Sequence, residues 1–271
     1  MKRLLDIMAG LRDPVNGCPW DNRQTFKTIV PYTLEEAYEV ADAVAEDNVD
    51  ALQEELGDLL FQVVFFAQIA SEAGSFNFGD IARVAGDKML RRHPHVFGDI
   101  SPQSSGTQTQ QWEAHKARER EARSTAKENS GILDGVPKAM PALTRALKLQ
   151  QRAARADFDW PDIASVFDKL VEELSELRTE VIGGNVDRVR EEFGDVLFSW
   201  VNLARFLETD PESALRHTNA KFERRFRRME SKLKADGRTP DSVSFDELEG
   251  LWRQVKEEEL DQKENSKTAP V

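Results

Sequence analysis

The chain has 271 residues, of which 39% are hydrophobic and 32% charged, with a formal net charge of −12. That length suits one large domain or two ordinary ones. The 15 glycines and 11 prolines are too few for a low-complexity or collagen-like chain. The acidic balance argues against a general nucleic-acid binder, which needs a basic field along its phosphate track; a polyphosphate can still be held through cations and a local basic cluster.

The chain opens Met1-Lys2-Arg3-Leu4-Leu5-Asp6, which gains an acid at once and lacks the apolar core of a signal peptide. Cys18 stands alone, so no intrachain disulfide forms, which fits a reducing compartment. From Thr33 to Ala70 apolar residues recur at three- and four-residue spacing with acids between them, the pattern of amphipathic helices. The most apolar part, Leu59 to Ala70, contains Gln62 and Gln68 and is too short to span a bilayer. A soluble cytoplasmic protein with no membrane and no nucleic-acid partner is expected. Ser101 to Thr107 is small, polar and rich in breakers, so it reads as a loop, and the polar run Arg123 to Gly131 reads as a joint. Residues 162–208 repeat the helical texture, interrupted at Gly183-Gly184-Asn185, a helix stop and turn. Glu257-Glu258-Glu259 reads as a solvated face, and the polar tail from Gln262 to Val271 as frayed. No run of alternating β-branched residues argues for a strand, so an all-α fold is expected.

The chain repeats itself. Leu34-Glu35-Glu36-Ala37-Tyr38-Glu39 matches Val171-Glu172-Glu173-Leu174-Ser175-Glu176, and Glu54-Glu55-Leu56-Gly57-Asp58 matches Glu191-Glu192-Phe193-Gly194-Asp195, both at an offset of 137 residues. Further on, Lys88-Met89-Leu90-Arg91-Arg92 matches Lys221-Phe222-Glu223-Arg224-Arg225, and Trp112 to Lys116 matches Trp252 to Lys256. Four blocks in one order indicate a duplicated helical domain. The expected division is a first domain over 1–125, a helical and polar linker over 126–160, a second domain over 161–262 and a tail over 263–271.

In each copy one helix carries Glu-Glu-x-x-Glu and the next Glu-Glu-x-x-Asp. Residues three apart share a helix face, so antiparallel packing across the Gly183-Gly184 turn brings Glu173, Glu176, Glu192 and Asp195 together, flanked by apolar Phe193, Val196, Leu197 and Trp200. Each carboxylate pair at about 4 Å costs on the order of 4 kcal/mol at an effective dielectric near 20. Such a cluster needs cations or raised pKa values. An oxygen-only donor set favours hard ions, and Mg²⁺ leaves room for waters and phosphates; the chemistry indicated is metal-assisted attack of water on phosphorus. A di-iron bundle would need Glu-x-x-His on two helices, and none of His93, His95, His115 and His217 lies three residues after a Glu.

With these residues in view, the chain resembles the MazG family of nucleotide pyrophosphohydrolases, within the all-α NTP pyrophosphatases. The mark is Glu172-Glu173-x-x-Glu176 with Glu192-x-x-Asp195, repeated as Glu35-Glu36-x-x-Glu39 with Glu55-x-x-Asp58, and Gly17-Cys18-Pro19-Trp20-Asp21 near the start extends the likeness over nearly the whole chain. The resemblance implies two tandem helical-bundle domains in a homodimer that cleaves a nucleoside triphosphate to monophosphate and pyrophosphate with Mg²⁺. It implies Glu173, Glu176, Glu192 and Asp195 as metal ligands, with Glu172 and Glu191 contacting nucleotide or positioning water. Lys169, Arg188, Lys221, Arg224, Arg225 and Trp252 are implied as nucleotide contacts. Lys169 and Arg188 each precede a cluster acid by one helical turn, where the first copy has Tyr32 and Ala51; the second copy is therefore expected to be the better equipped for phosphate. A broad housekeeping activity is expected. A narrower dCTP or phosphoribosyl-ATP pyrophosphatase, and a non-catalytic nucleotide sensor or partner-binding protein, are the alternatives.

Overall fold

The computed structural model describes residues 1–97 and 131–268. The chain divides into two compact units, Met1–Ala126 and Lys127–Val271. Among the described residues every regular element is helical, as expected. The loop expected over 101–107, the joint over 123–131 up to its last residue and the first copy's Trp112 block lie outside the described residues.

In the first unit the helices are α1 (Lys2–Leu11), α2 (Pro19–Asn22), α3 (Phe26–Ala45), α4 (Val49–Glu72), α5 (Phe78–Arg92) and α6 (Pro94–Phe97). Helices α3 and α4 form the main pair, and α1 and α5 pack on α4. Met8, Ile29, Val64 and Phe65 are buried together, with Phe61 and Phe66 packed against them. Phe66 also stacks on Phe26 at 6.1 Å. The turn between α3 and α4 places Asp47 at φ 52°. Asn48 then caps α4 by accepting from the Ala51 N–H at 3.1 Å.

The Gly17-Cys18-Pro19-Trp20-Asp21 segment folds back on α1. The Gly17 and Cys18 N–H groups donate to the Asp13 and Leu11 carbonyls at 2.9 and 2.8 Å. Pro19 opens α2 where its missing N–H costs nothing. Arg12 is buried, donates to the Asp21 carbonyl and pairs with Glu72 on α4, so one guanidinium joins three elements.

The second unit holds α7 (Ala142–Ala154), α8 (Ile163–Gly183), α9 (Val186–Phe206), α10 (Pro211–Ala235), a short 3₁₀ turn (Pro240–Ser242) and α11 (Phe245–Thr268). Helices α8 and α9 are the counterparts of α3 and α4. Gly184 sits at φ 73° where the first copy has Asp47, and Asn185 caps α9 as Asn48 caps α4. The left-handed residue suits Gly and is tolerated by Asp. Val166, Leu170 and Leu203 form the core between α8 and α9.

Two expectations are corrected. The 126–160 segment is more than a linker: α7 packs on α9 and α10 and is part of the second unit. Its Leu143, Ala146, Leu147, Gln150 and Ala153 recur at helical spacing and give it a face to bury. The tail is helical to Thr268, because Glu, Gln and Lys dominate it and no glycine or proline intervenes before Pro270.

A methyl group on Gly17 would lie 2.4 Å from the Asp13 carbonyl oxygen and 2.5 Å from that of Leu11, whereas one on Gly10 meets nothing within 4 Å. Gly17→Ala is therefore expected to destabilise the first unit by about 1–3 kcal/mol. Gly10→Ala in α1 should be neutral or stabilising by up to about 1 kcal/mol, and urea unfolding of both variants checks the contrast.

Candidate active site

Helices α8 and α9 bring Glu173, Glu176 and Glu192 to one place, each offering a carboxylate oxygen within 4.8 Å of the others. Glu173 and Glu192 are buried and Glu176 is exposed. Two oxygens bound to one Mg²⁺ at about 2.1 Å lie at most about 4.2 Å apart, so a slight contraction of this all-oxygen set fits such an ion. The fourth expected member, Asp195, is not within that group; it is exposed and lines the adjacent cavity together with Glu173. Aspartate is one methylene shorter than glutamate, so its carboxylate stays nearer its own helix.

Buried like charges need compensation, and two cations supply it. Lys169 Nζ lies 2.9 Å from Glu173 and 3.1 Å from Glu172. Arg188 lies 2.7 Å from Glu192 and 2.8 Å from Glu191. The bonds to Glu173 and then Glu172 hold the Lys169 ammonium pKa above the ordinary lysine value. Arg188 is raised likewise, first by its bond to Glu191 and then by the charges of Glu192 and Glu191. Both bases, placed by sequence one turn before the acids, thus sit against the cluster, each shared between a buried acid and an exposed one.

The first unit repeats the acids without the bases. Glu36, Glu39 and Glu55 bring carboxylate oxygens within 4.8 Å of one another, but positions 32 and 51 are Tyr and Ala. Glu36 is raised above the usual carboxylate value, first by burial and then by the charge of Asp58, against the opposing hydrogen bond from Gln62. Glu55 is raised by burial and by the charges of Glu39, Asp58 and Glu54. One scaffold therefore carries two electrostatic states.

Beside the second cluster lies a cavity of about 570 Å³ that shares Lys169, Glu173 and Asp195 with it. Its other walls include Gln150 from α7, Phe158 and Trp160 from the following loop, and Asn202 and Arg205 from α9. Arg205 pairs with Asp159, which ties the loop to α9 and keeps the Asp159 carboxyl below its usual value. Gln150, Trp160 and Asn202 were not among the residues singled out by sequence. Trp160 was signalled only as one of two aromatic residues after an amphipathic stretch, inside what reads as a linker, while Gln150 and Asn202 carried no signal of their own.

The later basic cluster is otherwise engaged. Arg224 and Arg225 both bind Glu259, at 2.6 and 2.7 Å. Glu259 is buried, not solvated as expected. Burial alone would raise its carboxyl, but the bonds from Arg225 and Arg224 hold it down to about 2. Trp252 packs on Phe222 with ring centres 5.2 Å apart. None of Lys221, Arg224, Arg225 and Trp252 lines the cavity beside the carboxylates.

Fold and site together define an all-helical protein with a paired-helix carboxylate centre, built twice in one chain. The model of the MazG nucleotide pyrophosphohydrolase domain matches residues 24–97 and again 162–229. The chain is 50% identical over 261 residues to a nucleoside triphosphate pyrophosphohydrolase of Escherichia coli (strain K12), covering 96% of this chain and 98% of that one. It is 43% identical over 255 residues to the nucleoside triphosphate pyrophosphohydrolase/pyrophosphatase MazG of Thermotoga maritima, covering 94% and 95%. The chain belongs to the MazG nucleotide pyrophosphohydrolase family, and the resemblance carried by the paired motif is confirmed. Among the described residues, no helix is long and apolar enough to cross a membrane.

Because the folded values of Glu36 and Glu55 lie above the ordinary one, the protonated forms favour the fold. That contribution is present at acid pH and is lost as pH rises through the folded values. Glu36→Gln should therefore raise the thermal stability of the first unit at about pH 7.5 and bring no gain at about pH 4. Melting curves of variant and parent at the two pH values check this.

Proposed function

We propose that the second unit hydrolyses nucleoside triphosphates at the α–β phosphoanhydride, giving nucleoside monophosphate and pyrophosphate. Mg²⁺ would be held by Glu173, Glu176, Glu192 and Asp195. The carrying observation is the convergence of Glu173, Glu176 and Glu192, two of them buried, in a member of this family. The names of the Escherichia coli and Thermotoga maritima relatives support the same reaction. When bound, the ion supplies Lewis-acid polarisation of a phosphoryl oxygen and a more acidic water.

The chain's own groups do the rest. Lys169 and Arg188 sit within 3 Å of the buried acids; once those acids share another cation, both bases can turn to phosphate oxygens. Glu172 and Glu191 are the exposed neighbours placed to position nucleotide or water. A phosphate role for Arg224 and Arg225 requires release from Glu259, with Lys221 and Trp252 beside them on α10 and α11. A broad range of bases, and with it the clearing of surplus or aberrant nucleotides, fits a cavity whose accessible lining surface is mostly apolar.

We also propose a homodimer. Phe167, Val171, Phe193 and Leu197 are 42–66% exposed, and their counterparts Val30, Leu34, Leu56 and Leu60 are 37–49% exposed. Each helix thus shows an apolar pair at i, i+4, at the same positions in both copies. Apolar stripes repeated in this way mark an assembly face. Sedimentation should give twice the chain mass, and Leu197→Glu should shift it towards the single chain.

Incubation with several triphosphates should yield monophosphate and pyrophosphate in equal amounts, and chelation of divalent ions should stop the reaction. Diphosphate with orthophosphate would point to another cleavage, and tight binding without turnover to a sensor. Glu173→Ala or Asp195→Ala should lower kcat by more than about 100-fold. Glu36→Ala should keep most of the activity; equal losses from both units would refute the assignment to the second.

A further inference from the structure

The cavity beside the second cluster contains a polar group that the phosphate chemistry leaves unused. Gln150 lines it, is 7% exposed, and donates through Nε2 to the Phe198 carbonyl at 2.8 Å. That bond fixes which way the amide faces. The atom left over is the carbonyl Oε1, which is buried and has no hydrogen-bond partner. Such an acceptor is the costly state of a buried amide, and a donor that reaches it is bound in preference to one that cannot.

Asn202, which also lines the cavity, is held in the opposite sense. Its Oδ1 accepts from Arg205 Nε at 3.1 Å and from the same guanidinium again at 2.8 Å, so its NH₂ is the end not used by Arg205. Arg205 is anchored by Asp159, next to Trp160. The volume of about 570 Å³ falls within the roughly 300–1,000 Å³ of small-molecule sites, which join mostly apolar walls to a few fixed polar groups.

We infer that this cavity takes the nucleobase of the substrate, with the Gln150 carbonyl accepting a base N–H and Trp160 bordering the ring. This rests on the triphosphate reading given under Proposed function. The cavity shares Lys169, Glu173 and Asp195 with the carboxylate cluster, so a triphosphate engaged there leaves its nucleoside end beside Gln150. An acceptor alone does not choose among the common bases. Adenine and cytosine offer an amino group, guanine an imino and an amino group, and uracil an imino group. It does reject a base that carries no N–H.

The test compares ATP with purine riboside triphosphate, which lacks the amino group, and UTP with N3-methyl-UTP. Each pair is assayed for pyrophosphate release by the wild-type chain and by Gln150→Met. The wild type should favour the donor-bearing member of each pair by on the order of 10- to 100-fold in kcat/KM, and Gln150→Met should bring both ratios close to one. Equal wild-type rates within each pair overturn the inference without any variant. Discrimination that persists in Gln150→Met also overturns it, since another group then reads the base. If the wild type cleaves no triphosphate at all, the reaction assignment itself falls and takes this inference with it; cleavage without discrimination removes the base-reading role alone.

Discussion

Repulsion between carboxylates on two adjoining helices is the constraint on which the rest of the second unit depends. The turn at Gly184 and Asn185 sets the register of α8 against α9, and that register brings Glu173, Glu176 and Glu192 together. Two of these acids are buried, where an unpaired charge is costly. Lys169 and Arg188 make the arrangement tolerable because each stands one turn before its acid and reaches it along its own helix. The same placement leaves both bases beside any phosphate the cluster engages. The charge balance of the site thus comes from one pair of side chains, the pair that the proposed reaction would turn to phosphate.

The first unit shows what the same backbone does without them. Its acids keep their spacing, but without those bases burial and the charge of Asp58 raise the Glu36 pKa, opposed by Gln62, whose Nε2 donates to Glu36 at 3.3 Å. The structural counterpart of Gln62 in the second unit is Ser199. In that unit a buried glutamine comes instead from α7, bound to the carbonyl of the preceding residue, Phe198. The duplicated helix pair was therefore completed differently in its two settings.

The sequence carried the helical class, the duplication, both acid motifs and the turn that joins their helices, because each is a local pattern with a fixed period. It carried less of what depends on side-chain reach. Asp195 shares a helix face with Glu192, as spacing requires, yet its shorter side chain keeps it from the three-glutamate group. Glu259 looked like one of three solvated acids. It lies four residues after the fully buried Val255, on the same face of α11, and the two arginines that hold it come from another helix. Gln150 had no sequence signal of its own: an amide is singled out only by which of its atoms remains unpaired after packing, and that is a tertiary property.

The divergence at position 32 has a physical rationale that reaches beyond the missing charge. Tyr32 meets Trp20 edge to face at 5.6 Å, and Trp20 belongs to the segment that Gly17 and Cys18 fold onto α1. A lysine there could neutralise Glu36, as Lys169 does Glu173, but it would give up the aromatic contact. At position 51 the alanine N–H completes the Asn48 cap of α4, as the Arg188 N–H does for α9, so the helix start is kept while the charge is not. The first of these positions gains an aromatic contact, the second keeps its helix cap, and both lack the cation that stands beside the acids in the second copy. The acids of the first copy thus carry the electrostatic cost of a cluster without the lysine and arginine that partner it in the second.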